Sequence, residues 1–492
     1  MRQVPESEIK NRLAFDNPWW EEGAVDERFR DWPRRAYFDG FVKLVTETAV
    51  RRAVVLMGPR RVGKTVMIHQ AVDHLLTDKV PARNIFYVSV DTPVYTGLSL
   101  ETLLTYFQAI HGHARGSVLY VFFDEIQYHK EWEVHLKSLV DSYPSIRFVA
   151  SGSSAAALKL KSRESGAGRF TDFMLPSLTF REFLEFQGIR KELMDLKLGH
   201  GTGLDSRKID QFNSAFIDYL NFGGFPEAVV EKRVRERMDR YIADDIVDKV
   251  LLRDIPSLYG IADVQELKRF FTTLAYNTAQ EVSINELSQT SQVAKNTLKK
   301  YLDYLEAAFL IARIYRVDQN ARRFKKQNHF KVYLTNACLR AALFGAVGAD
   351  DPEMGPLAET ALVGHFVQGR AFRWLHYARW KAGEVDLVML NPSTQRAFQA
   401  LEVKWSDRAF ENPRESLRGL VEFCRKAKVP VDPMVCTRTA LGSKQVDDME
   451  IRFMPVSVTC YLYGEAFVEW PLEQGFHPLS GLPFSNQPGR GG

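Results

Sequence analysis

At 492 residues the chain is longer than one ordinary hydrophobic core supports, so about three domains are expected. Its 45% apolar and 26% charged residues exclude extended disorder away from the ends, and a net charge of +4 permits a nucleic-acid partner without demanding one. The far-separated Cys338, Cys424, Cys436 and Cys460 offer no disulfide framework or zinc spacing, and no apolar run approaches the roughly 18 residues of a membrane span, so a cytoplasmic protein without a membrane partner is expected.

Residues 1–37 show no basic-then-apolar leader. They mix charges with Asn17-Pro18-Trp19-Trp20 and Trp32-Pro33-Arg34-Arg35, which reads as a lead-in arm packing aromatics on the next domain. A helical pattern over Phe41 to Arg51 leads into the apolar run Ala53-Val54-Val55-Leu56-Met57. Gly58-Pro59-Arg60-Arg61-Val62-Gly63-Lys64-Thr65 follows with the spacing G-x-x-x-x-G-K-T, and Val66 to Ala71 reads as a helix. Glycines at both ends let backbone N–H groups wrap an anion, and the helix N-terminus adds partial positive charge. Lys64 is placed to reach the β- and γ-phosphates of a nucleotide, and the Thr65 hydroxyl to ligate Mg2+.

Continuous apolar runs recur at Asn84 to Asp91, Ser117 to Glu125 and Ile146 to Ser154, separated by helical segments, as strands buried on both faces of a parallel sheet do. Residues 38–180 are therefore expected to form a three-layer α/β nucleotide-binding domain. Asp124-Glu125 closes the second run, where Asp124 can hold Mg2+ and Glu125 can polarise the attacking water. Ser153 and Ser154 suit either contact with the γ-phosphate or a helix N-cap. Phe173 to Pro176 reads as a fifth strand. Arg169, in the glycine-rich stretch Glu164-Ser165-Gly166-Ala167-Gly168-Arg169, is a candidate arginine finger acting across a subunit interface, with a plain surface arginine as the alternative.

Residues 181–264 turn helical, with Gly223-Gly224-Phe225-Pro226 as a tight turn, and read as a connector or lid, or as plain domain packing. Over 265–330, two short helices meet at a polar turn before Lys295-Asn296-Thr297-Leu298-Lys299-Lys300, and Phe309 to Val317 reads as a wing; the basic run Arg322-Arg323-Phe324-Lys325-Lys326 lies downstream. This fits a winged helix-turn-helix that binds DNA, or one that serves as a packing module.

Over 331–478, the strands Gly383 to Leu390 and Phe398 to Ser406 place Glu384 with Asp386, and Glu402 with Lys404, on common faces. Asp386, Glu402 and Lys404 converge if the strands pair, and Glu359 completes the cluster from a helix at Leu357 to Val367. The carboxylates would hold Mg2+ or Mn2+, and Lys404 would orient or activate water. Asp386 followed by Glu402-x-Lys404 resembles a PD-(D/E)XK nuclease core, either active or kept as a scaffold. The tail 479–492, rich in Pro, Gly and Ser, is expected to be disordered.

The loop Gly58 to Thr65, Asp124-Glu125-Ile126-Gln127, Ser151-Gly152-Ser153-Ser154, Gly168-Arg169 and Pro176 to Phe183 resemble prokaryotic AAA-type ATPases that carry a C-terminal domain of unknown function. The likeness continues through Gly223 to Glu227, Lys331 to Asn336 and the segment near Glu402, with Asn336 standing where that family often has Asp. The resemblance implies ATP hydrolysis and a DNA-related or regulatory task. The resulting expectation is an AAA-type P-loop ATPase followed by winged-helix and restriction-endonuclease-like modules. It would act on DNA as a ring-like homo-oligomer and with Mg2+- or Mn2+-dependent cleavage; the alternative is a non-nucleolytic switch that binds DNA or protein.

Overall fold

A computed structural model describes residues 4–47, 49–153, 168–190, 206–261, 263–324, 328–367 and 370–469. Ser154, residues 164–167, Lys325, Lys326 and the tail 479–492 lie outside the described residues. The chain divides into two compact units, Met1–Pro176 and Ser177–Gly492. No helix among the described residues is long and apolar enough to cross a membrane. All four cysteines are buried free thiols.

The first unit is built on a parallel sheet of β1 (Ala53–Met57), β2 (Ile85–Ser89), β3 (Leu119–Asp124), β4 (Ile146–Gly152) and β5 (Phe170–Met174), in the order β2-β3-β4-β1-β5. Every residue of β1 is buried, because it lies between two neighbours, with Met57 opposite both Gly152 and Met174. β2 is an edge strand whose free backbone groups need partners. The arm supplies them: Asn17 exchanges two hydrogen bonds with the Tyr87 backbone, at 2.7 and 2.8 Å, and the Trp19 and Trp20 indoles donate to the Ile85 carbonyl. The arm thus docks its aromatics on the edge of this sheet.

The second unit holds a mixed sheet of β6 (Glu281–Ser283), β7 (Ile311–Val317), β8 (His329–Leu334), β9 (Leu375–Trp380), β10 (Gly383–Leu390), β11 (Ala397–Val403), β12 (Met434–Thr437), β13 (Gly442–Val446) and β14 (Met449–Pro455). Its order is β13-β14-β12-β11-β10-β9-β7-β8-β6. The boundary expected between 330 and 331 falls inside β8, which pairs with both β6 and β7, and β7 in turn pairs with β9. The segments expected to be separate modules therefore share one sheet. The segment 181–264 is no detached lid either. Phe183, Phe212, Phe216 and Tyr219 share a core with Leu362 and Tyr461 from the helices Met354–Val367 and Val456–Glu469.

Thr179 and Glu182 form a reciprocal capping box that starts the helix Phe180–Phe186. A side chain on Gly224 would meet the Cys338 sulfur at 2.6 Å and Asn336 Cγ at 2.7 Å, so only glycine fits that turn. Asn336 itself accepts from the Cys338 N–H at the start of the helix Cys338–Phe344, a structural use for that position.

Candidate functional site

The loop between β1 and the helix Lys64–Thr77 has two left-handed residues, Arg61 at φ 63° and Gly63 at φ 93°. Such alternation turns successive N–H groups toward one concavity and makes an anion cradle. Gly58 packs so tightly that a Cβ there would lie 1.9 Å from the Leu175 carbonyl oxygen. Lys64 is buried, with its Nζ 3.1 Å from the Gly58 carbonyl and 2.7 Å from that of Pro59. Arg60 donates to the Tyr128 hydroxyl at 2.8 Å.

Asp124, 1% exposed at the end of β3, is held on both carboxylate oxygens. Oδ2 accepts from the Thr65 hydroxyl at 2.8 Å and from the Tyr87 hydroxyl at 3.0 Å, and Oδ1 accepts from Ser151 and from the Glu125 N–H. Burial, reinforced by Asp124, raises the Tyr87 phenol well above its ordinary pKa, so it remains a donor. Glu125 adopts φ 54°, a left-handed conformation that turns its side chain off the strand. Burial raises its carboxyl pKa, opposed by Lys64 and reinforced by Asp124. Gln127 donates to Glu125 and, at 3.1 Å, to the Ser153 hydroxyl, so Ser153 reaches this cluster through Gln127.

The adjacent Thr65 and Asp124 oxygens are hard donors at a phosphate loop and fit Mg2+, which commonly takes one or two protein oxygens and completes its shell with phosphates and water. Arg169 lies elsewhere. Its carbonyl accepts from the Ala53 N–H at the start of β1, the end of that strand opposite the loop, and its side chain pairs with Asp141.

In the second unit, Glu359, Asp386, Glu402 and Lys404 do come together. Lys404 Nζ lies 2.7 Å from Glu402 and 3.2 Å from Asp386, whose Oδ2 also accepts from the Val403 N–H at 2.9 Å. A cavity of about 340 Å3 opens onto Asp386, Glu402 and Lys404, lined also by Glu384, Ser416 and Gly419. At the centre, however, is a residue that sequence reasoning gave no role. Lys331 on β8 places its ammonium 3.0 Å from Glu359, 3.1 Å from Glu384 and 3.4 Å from Asp386. Tyr333 donates to the same Glu359 oxygen at 2.6 Å.

The electrostatics follow from this arrangement. Burial alone would depress the Lys331 pKa, but Glu359, Tyr333 and the other carboxylates raise it well above its ordinary value. Burial lifts Glu359 to about 7, with Asp386 adding and Lys331 opposing. Burial and the charge of Asp386 raise Glu402 well above the carboxylate range, whereas Asp386 is held below it because Lys404 and Lys331 outweigh its burial.

Glu359 is thus turned to Lys331 and Tyr333, and among the described residues no three His, Cys, Asp or Glu side chains converge as metal ligands. Lys331 and Lys404 supply countercharge to the two or three carboxylates expected to hold Mg2+ or Mn2+, Lys331 against Glu359 and Asp386 and Lys404 against Asp386 and Glu402.

A strand, a glycine-bounded turn and a helix, with an acidic strand end alongside in a parallel sheet, define a P-loop nucleotide-binding unit. Residues 50–184 match the family described as AAA domain, and residues 213–350 match a domain of unknown function. The chain carries an AAA-type P-loop ATPase domain. An uncharacterized protein of Haemophilus influenzae is 28% identical over 303 residues, 60% of this chain and 70% of that protein. An uncharacterized protein of Methanocaldococcus jannaschii is 25% identical over 367 residues, 71% of this chain and 75% of that one. Among solved structures, the ORC2 protein of Aeropyrum pernix in its ADP form aligns with 60% of this chain and 90% of its own at 15% identity and a TM-score of 0.32. AMPPCP-bound DnaA of Aquifex aeolicus aligns with 55% of this chain and 86% of its own, at 17% identity and a TM-score of 0.24.

Proposed function

We propose that the protein is an ATP-hydrolysing switch whose second unit engages DNA without cutting it. The observation that carries the hydrolytic half is the Asp124 carboxylate, fixed against Thr65 at the phosphate loop with Glu125 beside it. Mg2+ held by Thr65 and Asp124 would neutralise charge on the β- and γ-phosphates. Lys64 exchanges the Gly58 and Pro59 carbonyls for phosphate oxygens. Glu125, its proton affinity raised by burial and its side chain held by Gln127, accepts the proton of the attacking water.

DNA engagement is supported by the helices Ile284–Ser291 and Lys295–Ala307, which flank a short turn and are followed by β7 and β8. Lys295, Asn296, Lys299 and Lys300 are exposed at the start of the second helix, and Arg322 and Arg323 are exposed on the connection between the strands. These positions suit phosphate contacts and base edges in a winged-helix arrangement. Lys331 among the Glu359, Glu384 and Asp386 carboxylates speaks against cleavage. The test is DNA binding by the full chain with ADP and with a non-hydrolysable ATP analogue, beside a cleavage assay with Mg2+ and Mn2+. Affinity that changes with nucleotide and intact DNA support the reading; metal-dependent products, or binding indifferent to nucleotide, overturn it.

A further inference from the structure

The phosphate loop has an outer brace that comes from the arm. Arg35, 4% exposed, donates from Nη1 to the Val62 carbonyl at 2.7 Å and from Nη2 to the Pro176 carbonyl at 2.9 Å. Val62 is inside the loop, and its peptide bond to Gly63 is planar and trans, so the Val62 carbonyl and the Gly63 N–H point in opposite directions. Whatever holds that carbonyl outward aims the N–H inward. Gly63 cannot impose this orientation alone, because glycine adopts either sign of φ with similar ease and the peptide can turn over.

The second anchor of the guanidinium is itself fixed. The Leu175 N–H donates to the Met57 carbonyl at 2.7 Å, and Gly58 packs against the Leu175 carbonyl. The fork of Arg35 therefore ties the far side of the loop to the segment against which its base is packed. A planar fork suits this task, since two N–H groups reach two carbonyls in a set geometry that an ammonium cannot reproduce.

We propose that Arg35 is a positioning residue of the phosphate site, holding the Val62–Gly63 peptide with its N–H toward the β-phosphate of a nucleoside di- or triphosphate. This rests on reading Gly58 to Thr65 as the nucleotide site. A β-phosphate contact is made equally in substrate and product, so its loss raises KM and weakens ADP while leaving kcat largely intact. A merely structural arm would instead lower stability without this signature.

The experiment titrates the full-length protein and its Arg35→Met, Arg35→Lys and Asn17→Ala variants with fluorescent ADP and ATP analogues in Mg2+, with thermal melts alongside. Asn17→Ala loosens the arm on β2 without touching the loop. Arg35→Met is expected to weaken ADP and ATP alike, by about tenfold to a hundredfold, the value of one hydrogen bond to a charged group. Added guanidinium ion restores part of that affinity, Arg35→Lys retains part of it, and Asn17→Ala melts earlier yet binds as wild type. Wild-type affinity in a folded Arg35→Met or Arg35→Lys protein overturns the proposal, as does an equal loss in Asn17→Ala. Wild-type protein that binds neither nucleotide sinks the underlying reading instead, and the proposal with it.

Discussion

Lys331 Nζ and Glu359 Oε1 lie 3.0 Å apart with both side chains buried, and the same ammonium reaches Glu384 and Asp386. Removing a charge from water costs several kcal/mol, so such a group persists only where several partners compensate it. Lys331→Met leaves buried carboxylates without their shared cation and should cost the second unit about 3–5 kcal/mol, the usual penalty for breaking a buried pair. Urea unfolding of the single variant against a Lys331→Met/Glu359→Leu double variant checks it. The double variant should recover much of the loss; an unchanged midpoint in Lys331→Met would mean the pair stabilises nothing.

Glu359 also makes stability depend on pH. Its carboxyl titrates at about 7 in the fold instead of near 4.5, so between those values the folded chain holds a proton that the unfolded chain has released. Stability from this group is full below pH 4.5 and falls as pH rises through 7, by about 3 kcal/mol in all. His365 and His376 act in the opposite sense, because burial lowers both to about 4 and their contribution is lost as pH falls from 6.5. The Glu359→Gln variant isolates the carboxyl. Wild type should gain on it steadily from pH 7 down to 4.5 in urea midpoints, and parallel curves would refute the assignment.

Glu125 and Asp124 divide their tasks in a way that mutation separates. Glu125→Gln keeps the shape and the Gln127 contact but cannot accept a proton, so ATP affinity should stay near wild type while turnover falls about 10^2- to 10^4-fold. Equilibrium binding and phosphate release measured on one preparation decide it. Turnover equal to wild type would remove Glu125 from the reaction.

What the sequence discloses follows from how local each feature is. Gly58 to Thr65 is legible because its chemistry is contiguous, and the acidic strand end is legible because an apolar run stops at Asp124. Asp386, Glu402 and Lys404 are legible as a cluster because strand periodicity fixes which side chains share a face, and Glu359 joins them from a helix. Lys331 shows only as a charged residue between buried Phe330 and Val332, a weak signal for an inward-facing group. Tyr87 and Arg35 act through contacts with Asp124 and Val62, distant in the chain, which no local pattern encodes. The domain boundaries misread for a related reason: β8 answers to partners on both sides of the break, and only pairing reveals it.

Electrostatic contact with DNA gives the last prediction, because phosphate neutralisation has a thermodynamic signature that base reading lacks. Each phosphate met by a lysine releases counterions, and the slope of log affinity against log salt falls by about 0.9 for each such contact removed on duplex DNA. Lys295, Lys299 and Lys300 are exposed near the start of one helix, so replacing all three by alanine leaves the buried Leu298, Tyr301 and Leu302 in place. Alanine also favours helix, so the fold should hold. The slope should drop by about 2 to 3 if all three meet phosphates, with weakening nearly uniform across sequences. Binding isotherms over a range of potassium chloride on two unrelated duplexes measure both quantities. An unchanged slope would move the DNA contact away from this helix and favour protein as the partner of the second unit.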